Sequence, residues 1–196
     1  MAPALELRAL REAEREDAAR LYWEAFSDQI GRALGPRDKA LATLRAAIRP
    51  ANGLAAVSQD GRLLGLAGVK VASEGSFMML DTALLTPIYG RAGALWRGLL
   101  LDMFERGVGP GELLTEGLCV AAGWRGRGIG SALIAGLLAE ARARGLRQVR
   151  LEVTDANPRA RALYERQGFV PVARRDAGLA APVLGFRRST QLVYRL

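Results

Sequence analysis

The feature that most constrains this chain is a turn with glycine at every second position, Gly126, Gly128 and Gly130. It follows a short apolar run, Leu113–Val120, that reads as a strand, and it precedes a helix opening at about Gly130. Glycine reaches positive φ without steric cost and lets a ligand approach the backbone closely. The first amides of a helix have no partner in a preceding turn, and the helix dipole makes that end electropositive. Arg125 and Arg127 add full charges at the same place. The combination is a cradle for phosphate between a strand and a helix.

Two families own such a cradle. The dinucleotide fold wants G-x-G-x-x-G at the start of a βαβ unit, with an acid about 20 residues on. Glu152 stands near that distance, but the third glycine comes one place early and a long β-rich segment precedes the turn. The other is the GNAT superfamily of acyl-CoA N-acyltransferases, whose loop reads Q or R, two free positions, G, one free position, then G or A. Arg125-Gly126-Arg127-Gly128-Ile129-Gly130 resembles it at every fixed position. A second stretch decides between them. Val153, Asn157, Ala160, Leu163, Tyr164, Gly168 and Phe169 resemble the superfamily's V-x-x-x-N-x-x-A-x-x-L-Y-x-x-x-G-F. The resemblance covers most of the chain and implies a GNAT fold of mixed α and β structure. Its centre would be a mixed, mostly antiparallel sheet of six to seven strands, with helices on both faces.

With 196 residues, half of them hydrophobic, the chain can form one domain, 1–196, with a real core. No apolar run approaches the roughly 20 residues of a membrane span, and the N-terminus lacks a signal peptide's apolar centre. One cysteine, Cys119, excludes an internal disulfide framework, so a cytoplasmic location is the expectation. The chain has no histidine, which removes the commonest general base and any His-based triad or metal site. The net charge is +8, almost all of it arginine. Such a surface could attract nucleic acid, but there is no RNA-binding aromatic motif or zinc spacing beside it. Nucleic acid is therefore the weaker reading, and part of the excess suits a polyanionic co-substrate.

Taken in order, Leu5–Leu10 reads as a strand and Glu14–Phe26 as a helix with Ala18, Leu21, Tyr22, Ala25 and Phe26 on one face. Gly31–Gly35 is expected to break it, and Pro36 to start a second helix that ends at Pro50. Leu54–Gln59 and Leu63–Val71 form a hairpin across Asp60-Gly61. Residues 73–106 depart from the superfamily as an apolar, helical insertion, with a helix over about Arg91–Glu105. A helix apolar all round must be buried by something. It is expected to wall the acceptor pocket, to pack on the domain's own sheet, or to contact a second copy in a homodimer. After the loop come a helix ending near Gly145, a strand Gln148–Val153, and a helix capped by Asn157-Pro158 and stopped at Gly168. Phe169–Ala173 and Leu192–Leu196 read as closing strands, joined by a mobile loop over Arg174–Arg188.

The resemblance then implies roles. Acetyl-CoA is the co-substrate, with no metal. Its pyrophosphate would sit on the amides of Arg125, Gly126, Arg127, Gly128, Ile129 and Gly130, with the hydroxyl of Ser131 beside them. Main-chain groups of Leu118 and Val120 would hold the pantetheine arm, and Asn157 would hydrogen-bond it or act only as a helix cap. Tyr164 matches the family's tyrosine that protonates the leaving thiolate, and a phenol of pKa near 10 can do so at neutral pH. Glu116 is the candidate base: strand alternation puts it on the face of Leu114, Leu118 and Val120, among apolar side chains that raise a carboxyl pKa. A bulge would break that parity, and ordered water is the competing proton acceptor. By the same alternation Cys119 points to the opposite face. The expected activity is N-acetyl transfer to a primary amine, small-molecule or peptide, by direct attack in a ternary complex. A catalytically silent CoA-binding sensor is the alternative.

Overall fold

The computed structural model describes residues 5–102, 107–178, 181 and 185–196. Its elements run β1 (Leu5–Ala9), α1 (Arg15–Leu34), α2 (Arg37–Ala47), β2 (Gly53–Ser58), β3 (Leu63–Val71), β4 (Gly75–Ser76) and α3 (Thr82–Asp102). There follow β5 (Glu112–Val120), α4 (Ile129–Ala143), β6 (Gln148–Thr154), α5 (Pro158–Arg166), β7 (Val170–Asp176) and β8 (Arg188–Arg195). The strands form one sheet in the order β1-β2-β3-β5-β6-β8-β7, and the two-residue β4 adds an eighth strand beside β3. Every pairing is antiparallel except β5 with β6. The expected mixed α and β sheet is thus present, with one short strand more than the sequence suggested.

Two apolar layers cover the sheet. On one face α4 and α5 bury Leu133, Ile134, Leu137 and Tyr164 against Leu64, Val69, Leu113 and Val149. On the other α1, α2 and α3 bury Leu21, Leu34, Leu44 and Leu85 with Phe77 and Leu66. Phe77 is fully buried because residue 68 is glycine: a Cβ there would lie 2.3 Å from the Phe77 ring. The backbone around Phe77 is tied on both sides. Its N–H donates to the Val69 carbonyl at 2.9 Å, its carbonyl accepts from Arg49 at 2.8 Å, and Met79 N–H donates to Ala47 at 3.0 Å.

The Asp60-Gly61 hairpin forms as expected, with Gly61 at φ 80°. Four expectations change. Gly31 does not break α1, which continues to Leu34; one glycine costs a helix only about 1 kcal/mol, and the apolar contacts of Ala33 and Leu34 outweigh it. The insertion is helical from Thr82, earlier than Arg91, and Gly90 at φ 73° and ψ 168° interrupts it where the second half begins; residues 103–106 lie outside the described set. That second half is buried on one face only: Ala94, Leu100 and Leu101 pack on the core, whereas Leu95 and Leu99 are more than 60% exposed and Trp96 is 46% exposed. Tyr89 anchors its base: its hydroxyl donates to the Leu34 carbonyl, and the Arg97 guanidinium stacks 4.0 Å from its ring centroid. The closing strands are longer than expected and leave residues 177–187 between them, part of which lies outside the described residues. No described helix is long and apolar enough to cross a membrane.

Candidate active site

β5 and β6 are hydrogen-bonded only over Glu112–Leu114 and Gln148–Arg150. Beyond Leu114 the edge of β5 that faces β6 is open, while β3 continues to pair with its other edge up to Val120. Ala121 N–H donates to the Leu64 carbonyl at 2.9 Å. In an antiparallel ladder bonded pairs alternate, so Cys119 bonds to Leu66, and the amides and carbonyls of Leu118 and Val120 point away from β3, into the gap. The Arg125 Nε–H reaches the Val120 carbonyl there at 3.1 Å. A slot lined by main-chain donors and acceptors is what an extended amide-bearing arm needs.

The glycine turn lies at the top of that slot. Gly126 (φ 75°) and Gly128 (φ 84°) are left-handed, and Gly128 caps α4. A Cβ on either would meet nothing within 4 Å, so their Cβ positions open onto free space beside the turn. Ala132 makes the first bond back to Gly128, at 3.0 Å, which places the amides of Ile129, Gly130 and Ser131 at the electropositive start of a 15-residue helix, while the Arg125 amide donates to the Ala122 carbonyl at 3.4 Å. Gly130 serves packing: a Cβ there would stand 3.1 Å from Leu163, so its absence lets α5 close on α4. The Arg127 guanidinium lies 4.9 Å from the Trp124 ring centroid. These residues fit a diphosphate by backbone geometry and charge.

Asn157 caps α5, its Oδ1 accepting from Ala160 N–H at 3.1 Å, and its side chain is exposed. Tyr164 sits two turns later in the α4/α5 core, 6% exposed. Burial, with the nearby Cys119 thiol as a second cause, pushes its phenol up to about 12. The hydroxyl therefore stays protonated throughout the neutral range. Burial likewise pushes the Cys119 thiol up to about 12, which leaves it an inert thiol.

Glu116 lies on the other face of the sheet. The β3–β5 register shifts between Ala67 and Val69, and Gly117 takes φ 114°. This bulge overturns the alternation argument. Leu118 and Val120 pack into the α4/α5 layer, whereas Cys119 packs into the α1/α2/α3 layer, towards which Glu116 also turns. Gly117 is required there twice over, for its φ and because a Cβ would come within 2.9 Å of the Tyr22 ring. The Tyr22 hydroxyl donates to the Glu116 carbonyl at 3.1 Å. The Glu116 carboxylate accepts from the Ser76 hydroxyl at 2.6 and 2.7 Å and from Met78 N–H at 3.2 Å. Burial raises its pKa; the Ser76 and Met78 hydrogen bonds and the Lys70 charge oppose that rise without cancelling it.

Glu116 opens into a cavity of ≈ 270 Å³ bounded by Tyr22, Phe26 and Gln29 of α1, by Met78 and Leu80, by Leu101 at the end of α3, and by Phe186. The insertion thus contributes Met78, Leu80 and Leu101 to the lining of this cavity. Trp23 of α1 packs, like Phe26, against the α1/α2/α3 core. The buried Thr115 hydroxyl and the Thr154 hydroxyl, both lining this cavity, have no hydrogen-bond partner. A wider hollow of ≈ 510 Å³ near the start of α1 is lined by charges that pair with each other, Arg15 with Glu12 at 2.8 Å and Arg45 with Glu16 at 3.5 Å. It offers no comparable chemistry. Ser76, Tyr22 and Gly117 were not singled out as site residues in the sequence. Only Gly117, a glycine inside an apolar strand, carried a local signal, that of a bulge.

Comparison with known proteins agrees with this geometry. Residues 15–169 match the Acetyltransferase (GNAT) family. A mycothiol acetyltransferase of Beutenbergia cavernae is 51% identical over 81 residues, which are 41% of this chain and 26% of that relative, so the match spans about a quarter of its length. A GCN5-related N-acetyltransferase from Kribbella flavida superposes with a TM-score of 0.65 at 19% identity, covering 98% of both chains. An N-acetyltransferase from Staphylococcus aureus Mu50 gives 0.66 at 16% identity, over 96% of this chain and 100% of the other. The split between β5 and β6, the glycine cradle above it and the family match over most of the length lead to one conclusion: the chain belongs to the acetyltransferase (GNAT) family.

Proposed function

We propose that this protein moves the acetyl group of acetyl-CoA to a primary amine by direct attack in a ternary complex. The observation that supports it most is the continuity of three features along one strand. The cradle at Arg125–Ser131, the open edge at Leu118 and Val120, and the cavity at Glu116 follow one another along β5 and its exit. In this reading the amides of Arg125, Gly126, Arg127, Gly128, Ile129 and Gly130, with Ser131, bind the diphosphate, and Leu118, Val120 and Asn157 bind the pantetheine. The amine enters from the Glu116 cavity and loses its proton to the Glu116 carboxylate. Its nitrogen attacks the thioester carbonyl, and the oxyanion is held by the Val120 amide. As the C–S bond breaks, Tyr164 donates its proton to the sulfur, and the second proton shed by the nitrogen as it becomes an amide restores the phenol.

The acceptor would be a small molecule or a peptide terminus with an apolar body, because Phe26, Leu80, Leu101 and Phe186 bound the cavity. The mycothiol acetyltransferase relative supports acetyl transfer.

Thiol release from acetyl-CoA over a panel of amines tests the proposal. Amine-dependent release is expected. CoA binding without release under any amine would make the protein a CoA-binding sensor and overturn the enzymatic reading.

A further inference from the structure

The Ser76 hydroxyl is shared among three acceptors. Its Oγ lies 2.6 Å from Glu116 Oε1, 2.7 Å from Oε2 and 3.0 Å from the Met78 carbonyl. A serine has one proton to give. While Glu116 is ionised, that proton is best spent on the carboxylate, and the Met78 carbonyl goes without it. When Glu116 carries a proton, the arrangement reverses: the carboxyl O–H donates to Ser76 Oγ, and Ser76 turns its own O–H to Met78. In both protonation states the carboxyl group and the Ser76 hydroxyl stay hydrogen-bonded to each other, with Met78 N–H remaining on the second carboxyl oxygen at 3.2 Å.

We propose that Ser76 is a positioning residue for acetyl transfer, a hydroxyl rotor that holds the Glu116 carboxylate ready for the amine proton and turns to the Met78 carbonyl once that proton has arrived. The inference rests on Glu116 being the proton acceptor. In the step, the N–H bond of the ammonium breaks and its electron pair stays on nitrogen. An O–H bond forms on Glu116, and the Ser76 O–H bond rotates without breaking.

The rotor is rigidly mounted. Ser76 ends β4, whose pairing with β3 sets Ser76 opposite Lys70, and the Ser76 carbonyl accepts from the Asn52 side chain at 3.1 Å. The next residue, Phe77, is locked in the core. Groups of every neighbouring element act on Glu116: Lys70 from β3, the Phe77 and Met78 amides, and Tyr22 from α1, while Asp102 of α3 and Glu152 of β6 share its cavity. The Ser76 bond is the largest of the influences that oppose burial. Ser76 also lies in the part of the chain that departs from the superfamily pattern, so this support belongs to the chain's own acceptor side.

The test is the pH dependence of kcat. Removing the donor makes the ionised carboxylate harder to keep. Ser76→Ala is therefore expected to move the acid limb to higher pH, by roughly one unit for a hydrogen bond to a charged group. KM for acetyl-CoA should not change, and Ser76→Thr, which restores a hydroxyl, should return the limb. Coincident acid limbs for wild type and Ser76→Ala would overturn the inference, as would an equal displacement in Ser76→Thr. Glu116→Gln separates the two levels. If it abolishes the limb while Ser76→Ala leaves it in place, only the rotor fails; if it keeps the limb, the base assignment and the rotor fail together. Should Ser76→Ala lose its fold on melting, Ser76→Cys carries the test: its weaker donor should shift the limb in the same direction by less, and an unshifted limb would refute the rotor.

Discussion

The Glu112 carboxylate and the Arg150 guanidinium meet at 2.5 Å, with both side chains about 90% buried, at the place where β5 and β6 stop pairing. Arg150 also donates to the Gly107 carbonyl, and Gln148 donates to the other Glu112 oxygen at 2.8 Å. The pair spans the three-residue ladder that joins the two strands below the slot, from Glu112 at its start to Arg150 at its end. Removing one partner leaves a buried charge without compensation, which costs about 3–5 kcal/mol. Glu112→Ala is expected to lower the unfolding free energy by that order, measured by denaturant melting. A loss below about 1 kcal/mol would mean the junction is held by the strand ladder alone.

Tyr164→Phe should lower turnover by ten-fold or more while leaving acetyl-CoA affinity nearly unchanged, since general acid catalysis contributes roughly 10²–10⁴-fold. Steady-state kinetics beside calorimetric binding would check it; unaltered turnover refutes the acid role. The same phenol predicts a pH effect on stability. Its folded pKa, about 12, is above the unfolded value of 10.0. The neutral form is favoured in the fold, so its contribution is intact below pH 10 and is lost as pH rises through about 12. Tyr164→Phe should flatten that alkaline loss.

Glu116→Gln should stabilise the fold while impairing the reaction. Burial raises the Glu116 pKa, so the folded state favours the protonated form more than the unfolded chain does. Its contribution is present at acid pH and disappears as pH rises through the folded pKa. At neutral pH the wild type therefore keeps a partly buried charge that glutamine, of the same shape, does not. The melting temperature of Glu116→Gln should exceed that of wild type at pH 8, and the two should converge as pH falls.

Gly128→Ala places a Cβ on a residue at φ 84°, a conformation that costs an L-residue about 1–2 kcal/mol, although nothing lies within 4 Å to clash with it. Reduced acetyl-CoA affinity with a small stability loss is the expected outcome, read by calorimetry and melting. Gly130→Ala should behave differently. Its Cβ would press on Leu163 at 3.1 Å, so packing between α4 and α5 is disturbed first.

The features legible in the sequence are those that neighbouring residues decide among themselves. The left-handed turn needs glycines at 126 and 128, the hairpin needs Gly61 at φ 80°, and Asn157 before Pro158 is a cap whatever surrounds it. The two motifs were enough to expect the sheet, its flanking helices and the family. Three other matters were decided only by packing across long separations. α1 runs through Gly31 because core contacts repay a weak propensity, and the insertion's second helix keeps Leu95 and Leu99 in solvent although its composition is that of a buried element. The bulge at Gly117 turns Glu116 to the face of Ser76, 40 residues earlier in the chain. Backbone torsions obey local chemistry, so the cradle could be read residue by residue. The face a side chain takes on a bulged strand depends on the register with its neighbour and on what packs above it, and those contacts exist only once the sheet has formed.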